Sequence, residues 1–117
     1  MARILIAEDE VSIFKLISFR LKHLGHEVIW AYNGGLALEA AHEQLPDLIL
    51  LDVMLPIYDG FQVLKKLKAA AETQSIPVIM LTARGSEKDI VTGIEGGADD
   101  YIAKTRYFLG RSCFTVC

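Results

Sequence analysis

Four positions in this chain carry groups that a packed core has no use for. Glu8-Asp9 follows Arg3-Ile4-Leu5-Ile6-Ala7, and Asp52 follows Leu48-Ile49-Leu50-Leu51. Thr82 follows Pro77-Val78-Ile79-Met80-Leu81, and Lys104 follows Asp100-Tyr101-Ile102-Ala103. An ionised carboxylate costs several kcal/mol to bury without compensation, so Asp52 at the end of four aliphatic residues needs something to balance it. Glu8, Asp9 and Asp52 against Lys104 leave two negative charges in excess, which one divalent cation cancels. Without a cation, two carboxylates ~4 Å apart repel by about 4 kcal/mol at an effective dielectric near 20. Hard oxygen donors suit Mg²⁺, which keeps some of its waters and shares a phosphate. A hydroxyl and an ammonium facing that ion are what the equatorial oxygens of a transferred phosphoryl group require. The chemistry implied is phosphoryl transfer, with Asp52 as a carboxylate nucleophile.

Groups so far apart in sequence meet only if their strands end on one edge. The runs before Glu8 and Asp52 are apolar without alternation, as in strands buried on both faces of a parallel sheet. A helix is predicted from about Ser12 to Leu24, with Val11, Phe14, Ile17, Leu21 and Leu24 at spacings of three and four. Gly25 closes it. Glu27 to Ala31 is a second strand, and Asn33-Gly34-Gly35 starts a second helix that ends before Pro46. The Asp52 strand is third, and Pro56 and Asp59-Gly60 break the chain after it. A third helix is predicted from about Phe61 to Ala71, with Phe61, Leu64 and Leu67 inward. Then come the strand ending at Thr82, a weaker helix from about Ser86 to Glu95, and a short strand from Asp100 to Ala103. Strands alternating with helices imply an α/β fold, a parallel sheet joined by right-handed crossovers. In such sheets, chemistry sits at the carboxyl ends of the strands.

The bulk properties narrow the class. At 117 residues the chain is one domain, long enough for a single core. No apolar run approaches the ~20 residues of a bilayer span, and Met1-Ala2-Arg3 leads into a strand without a signal-peptide pattern. A cytoplasmic protein is expected. A net charge of −3 argues against direct nucleic-acid binding by this domain. Cys113 and Cys117 are too few for a disulfide framework and lack partners at zinc spacing.

The joint motif set resembles the receiver domain of bacterial two-component response regulators. It comprises Glu8-Asp9, Asp52 with Met54, Pro56 and Asp59-Gly60, Leu81-Thr82-Ala83, and Gly97-Ala98-Asp99-Asp100-Tyr101-Ile102-Ala103-Lys104. The resemblance spans Ala2 to Lys104. It implies a flavodoxin-like, doubly wound five-stranded sheet of order 2-1-3-4-5 with helices on both faces. It implies that Asp52 accepts a phosphoryl group from a sensor histidine kinase. Glu8, Asp9, Asp52 and the backbone carbonyl of Met54 would hold Mg²⁺, with Glu8 acting through water. Thr82, the backbone N–H of Ala83 and Lys104 would hold the phosphoryl oxygens. Tyr101 would be the switch aromatic that turns inward as the Thr82 hydroxyl moves. The Asp99-Asp100-Tyr101 run points to the branch that carries a DNA-binding output domain, hence transcription regulation. Turnover catalysis is not expected beyond self-phosphorylation from small donors and slow autodephosphorylation.

One departure stands out. The family follows its lysine with proline and an amphipathic helix, and here Thr105 stands in the proline position. A cis bond before a non-proline residue costs ~3 kcal/mol, so a trans bond and a rerouted chain are expected. Residues 1–104 therefore read as the receiver domain, and 105–117 as an atypical tail replacing the fifth helix. Association through that tail or the sheet face it leaves uncovered is expected.

Three other readings compete. An aspartyl-phosphate phosphohydrolase usually carries a second acid two residues after its nucleophile, where this chain has Met54. A flavodoxin-like nucleotide binder would carry a glycine-rich loop after the first strand, which is absent here. A truncated or pseudo-receiver would keep the acids and act only as a protein-interaction module. Asp59-Gly60 reads as turn chemistry, and Asp99 and Asp100 as local turn and surface groups. His23, His26 and His42 receive no role. Trp30 reads as core or sheet-edge packing, with nothing placing it near the acids.

Overall fold

A computed structural model describes residues 1–82 and 95–103, with the backbone alone for Thr82, Tyr101 and Ala103. The apolar runs become strands β1 (Arg3–Ala7), β2 (Glu27–Ala31), β3 (Leu48–Asp52), β4 (Val78–Thr82) and β5 (Asp100–Ala103). All pair in parallel in the order β2-β1-β3-β4-β5, as the sequence implied. Helices α1 (Val11–His23), α2 (Gly34–Gln44) and α3 (Gly60–Ala69) connect them. The helix predicted near 86–95, Ala83, Lys104, the 104–105 bond and the tail from 105 lie outside the described residues, apart from Glu95.

Alternation within each strand splits the core in two. Ile4, Ile6, Leu50 and Leu81 meet Ile13 and Ile17 of α1 on one face. Leu5, Ala7, Ile49 and Leu51 meet Ala37 and Ala41 of α2 and Val63, Leu64 and Leu67 of α3 on the other. Both faces of the central strands are thus buried, which explains why their sequences show no polar alternation. The expected α1 stripe holds in its middle, where Ile17 is buried and Phe14 and Leu21 pack against the same cluster, and fails at its ends. Ile13 and Ile17 are its buried hydrophobics, whereas Val11 and Leu24 are 48% and 66% exposed. Ile13 joins the same face four residues before Ile17, and the two ends of α1 do not face the sheet.

Chain breaks fall where turn chemistry allows them. Gly25 adopts φ +90° just past α1, a conformation open to glycine at no steric cost. Asn33 caps α2 by accepting from the Leu36 N–H at 2.8 Å. Asp59 is a helix cap as well as a turn residue. It accepts from the Gln62 N–H at 2.9 Å, while the Gln62 side chain accepts from the Asp59 N–H at 3.0 Å. Asp99 serves the local role expected of it, its carboxylate accepting from the Val78 N–H at 2.8 Å.

Candidate functional site

The strand order changes direction between β1 and β3, and their register pairs Ala7 with Leu51. The next residues along these strands are Glu8 and Asp52, so the two acids emerge side by side at the carboxyl edge. Glu8 is fully buried and Asp52 is 1% exposed, while Asp9 faces solvent. One carboxylate oxygen from each of Glu8, Asp9 and Asp52 lies within 4.8 Å of the others. Three oxygen donors at that spacing, two buried and one open to water, suit a hard divalent cation that keeps part of its hydration shell.

The surrounding backbone holds these acids in place. The Glu8 N–H donates to the Ala31 carbonyl at 3.0 Å, carrying the β1–β2 ladder one residue past the strand. Glu8 Oε2 accepts from the Glu10 N–H at 3.0 Å. The Glu10 side chain makes no capping bond to α1, so the helix entrance is tied to Glu8 instead. Asp52 Oδ1 accepts from the Met54 N–H at 3.2 Å. The Val53 N–H donates to the Leu81 carbonyl at 2.9 Å, and the Gly60 N–H donates to the Val53 carbonyl at 2.8 Å. Gly60 is required by this folding-back. A Cβ there would fall on the Asp52 carbonyl oxygen and 2.8 Å from Val53 Cα. Gly34 is equally constrained, because a Cβ on it would strike the Tyr58 carbonyl, and its N–H donates to the Pro56 carbonyl at 3.0 Å. The loop after Asp52 is therefore clamped between the starts of α3 and α2.

Of the remaining expected site residues, Thr82 ends β4 one position beyond Leu81, which pairs with Asp52. It pairs with Ala103 of β5, and Tyr101 pairs with Met80. The backbone of Thr82 thus reaches the same edge as the acids. Met54 exposes its side chain, and its backbone N–H donates to Asp52 Oδ1. Ala83 and Lys104 lie outside the described residues.

Trp30 is the residue that sequence reasoning missed. It is 39% exposed on the edge strand, yet its indole Nε1–H donates to the Glu8 carbonyl at 2.8 Å. Its ring stacks on Phe14, with centroids 4.4 Å apart and planes 12° apart, and meets Tyr32 edge-on. The available signal was its penultimate place in β2, from which a long side chain can reach the carboxyl edge.

These features define a class: a doubly wound α/β domain that gathers three acids able to hold a cation at its topological switch point. The chain belongs to the response regulator receiver domain family, which it matches over residues 4–107. It is similar to the phosphate regulon transcriptional regulatory protein PhoB of Escherichia coli (strain K12). The two are 49% identical over 102 residues, covering 87% of this chain and 44% of PhoB. The chain thus spans less than half the length of that curated relative. Among solved structures, it resembles the chemotaxis response regulator CheY4 of Vibrio cholerae, with a TM-score of 0.84 and 32% identity over 89% of this chain and 87% of that one. It also resembles the receiver domain of the sensor histidine kinase PA1611 of Pseudomonas aeruginosa PAO1. That structure has a magnesium ion in its active site cleft and matches with a TM-score of 0.82 and 32% identity over 94% and 92% of the two chains.

Proposed function

We propose that this domain is a phosphorylation switch in which Asp52 takes a phosphoryl group from the phosphohistidine of a sensor kinase. The observation that carries this reading is the convergence of Glu8, Asp9 and Asp52 within 4.8 Å at the carboxyl edge. In the transfer, an Asp52 carboxylate oxygen forms a bond to phosphorus as the bond from phosphorus to the histidine nitrogen breaks. The imidazole leaves with the nitrogen's electron pair and takes up a proton. Glu8, Asp9, Asp52 and the Met54 carbonyl would hold Mg²⁺, with Glu8 acting through water. When bound, the ion neutralises charge on the carboxylates and the phosphoryl oxygens. The magnesium in the PA1611 receiver, a similar chain, supports that choice of metal.

This chain's own groups supply the rest. The Met54 N–H holds one Asp52 oxygen, which keeps the carboxylate oriented for attack. Thr82, the Ala83 N–H and Lys104 hold the equatorial oxygens, and movement of the Thr82 hydroxyl toward them turns Tyr101 inward. Likeness to PhoB, a transcriptional regulatory protein by name, makes transcription the output we assign. Such an output would be exerted through a DNA-binding segment or partner. The chemistry otherwise stops at self-phosphorylation from small donors and slow hydrolysis.

Incubation with acetyl phosphate, with and without Mg²⁺ and read by intact mass, tests the reading. A phosphate-sized gain that requires Mg²⁺ and vanishes in Asp52→Asn is expected. An unmodified native chain, or a gain retained in the variant, refutes it.

A further inference from the structure

We infer that Trp30 is a positioning residue for the acidic site, setting the direction of Asp9 through the peptide bond that joins it to Glu8. The inference rests on the reading of Glu8, Asp9 and Asp52 as a divalent-cation site. The Glu8 carbonyl and the Asp9 nitrogen belong to one planar unit. Fixing that carbonyl oxygen therefore fixes ψ of Glu8 and with it the places of the Asp9 nitrogen and Cα, while the Glu10 N–H bond to Glu8 Oε2 restrains the chain on the far side of Asp9. The unit is held from two sides. The Glu8 N–H is bound to the Ala31 carbonyl at 3.0 Å, and the Glu8 C=O accepts the Trp30 indole N–H at 2.8 Å. Both partners are neighbours in β2, so the strand grips Glu8 on each side of its Cα. Glu8 itself is buried, with its Oε2 tied to the Glu10 N–H. Asp9 is the exposed member of the three acids, and the peptide plane before it is what aims it at the other two.

The indole is held firmly enough to do this. Phe14 stacks on one face of it, and Tyr32 meets it edge-on with centroids 5.8 Å apart. A ring merely covering the sheet edge would need no donor pointed at this oxygen. Groups that orient ligands from outside the coordination shell typically change metal affinity by about 10–100-fold when removed. A single neutral hydrogen bond belongs at the lower end of that range.

The test uses the full 117-residue chain and Mn²⁺ as the probe. Binding is followed by loss of the free-ion electron paramagnetic resonance signal, at a temperature where circular dichroism finds every variant folded. Trp30→Phe keeps an aromatic ring against Phe14 but removes the donor, and Trp30→Ala removes both. Both variants should bind Mn²⁺ about tenfold more weakly than the native chain, although Trp30→Ala unfolds at a lower temperature. In the native chain Mg²⁺ should also produce a saturable change in emission from this sole tryptophan, absent in Asp9→Asn. Native affinity in Trp30→Phe overturns the inference and leaves the cation site standing. So does an affinity loss confined to Trp30→Ala, which follows packing rather than the hydrogen bond. A native chain that takes up no Mn²⁺ overturns the cation site and this inference together.

Discussion

Substituting Asp52 by asparagine should make the metal-free protein more stable. Three carboxylates whose oxygens lie within 4.8 Å form three repelling pairs. At that separation a pair of unit charges costs about 3.5 kcal/mol at an effective dielectric of 20, and about 0.9 kcal/mol in bulk water. The buried Glu8–Asp52 pair lies near the first figure, and the pairs with exposed Asp9 fall between the two. Asparagine keeps the shape of the side chain and removes the charge from two of the three pairs. Against this gain, the Met54 N–H bond at 3.2 Å passes to a neutral acceptor, a loss of about 1 kcal/mol. Counter-ions and water at the open edge, where Asp9 is exposed, screen part of the repulsion. The net expectation is about 1–3 kcal/mol of stabilisation, a rise in unfolding temperature of about 4–12 °C for a domain of this size. Thermal and urea unfolding in EDTA measure it. Mg²⁺ should then raise the stability of the native chain, by about 1.4 kcal/mol at ten times its dissociation constant, and leave Asp52→Asn nearly unmoved. A variant less stable than the native chain in EDTA, or an equal response of both to Mg²⁺, would refute the electrostatic reasoning.

Two further outcomes follow from features around the site. Ile57 is a β-branched residue at φ +73°, 72% exposed in the loop after Asp52. The left-handed region costs such a residue about 1–2 kcal/mol, and glycine returns part of that through the entropy of the unfolded chain. Ile57→Gly should raise the urea midpoint by the equivalent of about 0.5–1 kcal/mol, and an unchanged midpoint would argue that the loop relaxes without cost. On the opposite side of the domain, a backbone hydrogen bond and then the His42 ring, 2.9 Å away, hold the Glu72 carboxyl below its ordinary pKa. A carboxyl whose pKa is depressed by folding adds stability above its unfolded pKa and loses it as pH falls through the folded value. Unfolding temperatures of the native chain and Glu72→Gln should therefore converge as pH is lowered from 6 through and below the ordinary glutamate range near 4. A constant gap would count against the pairing.

The acids were legible because parallel strands announce themselves twice. Leu48 to Leu51 lack alternation, which signals burial on both faces, and the run ends at a carboxylate that no core would accept. The same holds for Ile4 to Ala7 before Glu8. Once the strands are parallel, the rest is topology, because strand ends at one edge must converge. The α1 face was legible in its middle, where Phe14, Ile17 and Leu21 meet the sheet, and not at its ends, because spacings of three and four continue past the point where Val11 and Leu24 leave the core. Left-handed Ile57 was not legible at all, because residue type argues against the conformation it adopts.

The contact from Trp30 to Glu8 is a different case. It depends on the β1–β2 register, which sets Ile6 beside Trp30 and so brings the indole within reach of the residue two places beyond Ile6. Nothing in the period of either strand encodes that offset. The acids are fixed by the pairing of the two central strands, where any slip would turn buried aliphatics toward the opposite face. The residue gripping their backbone comes from an edge strand, which has a partner on one side only. A change at position 30 can therefore alter how Asp9 is aimed without disturbing β1 or β3. On the cation-site reading proposed above, the affinity for a metal is adjustable from the rim of the sheet while the acids themselves stay as they are.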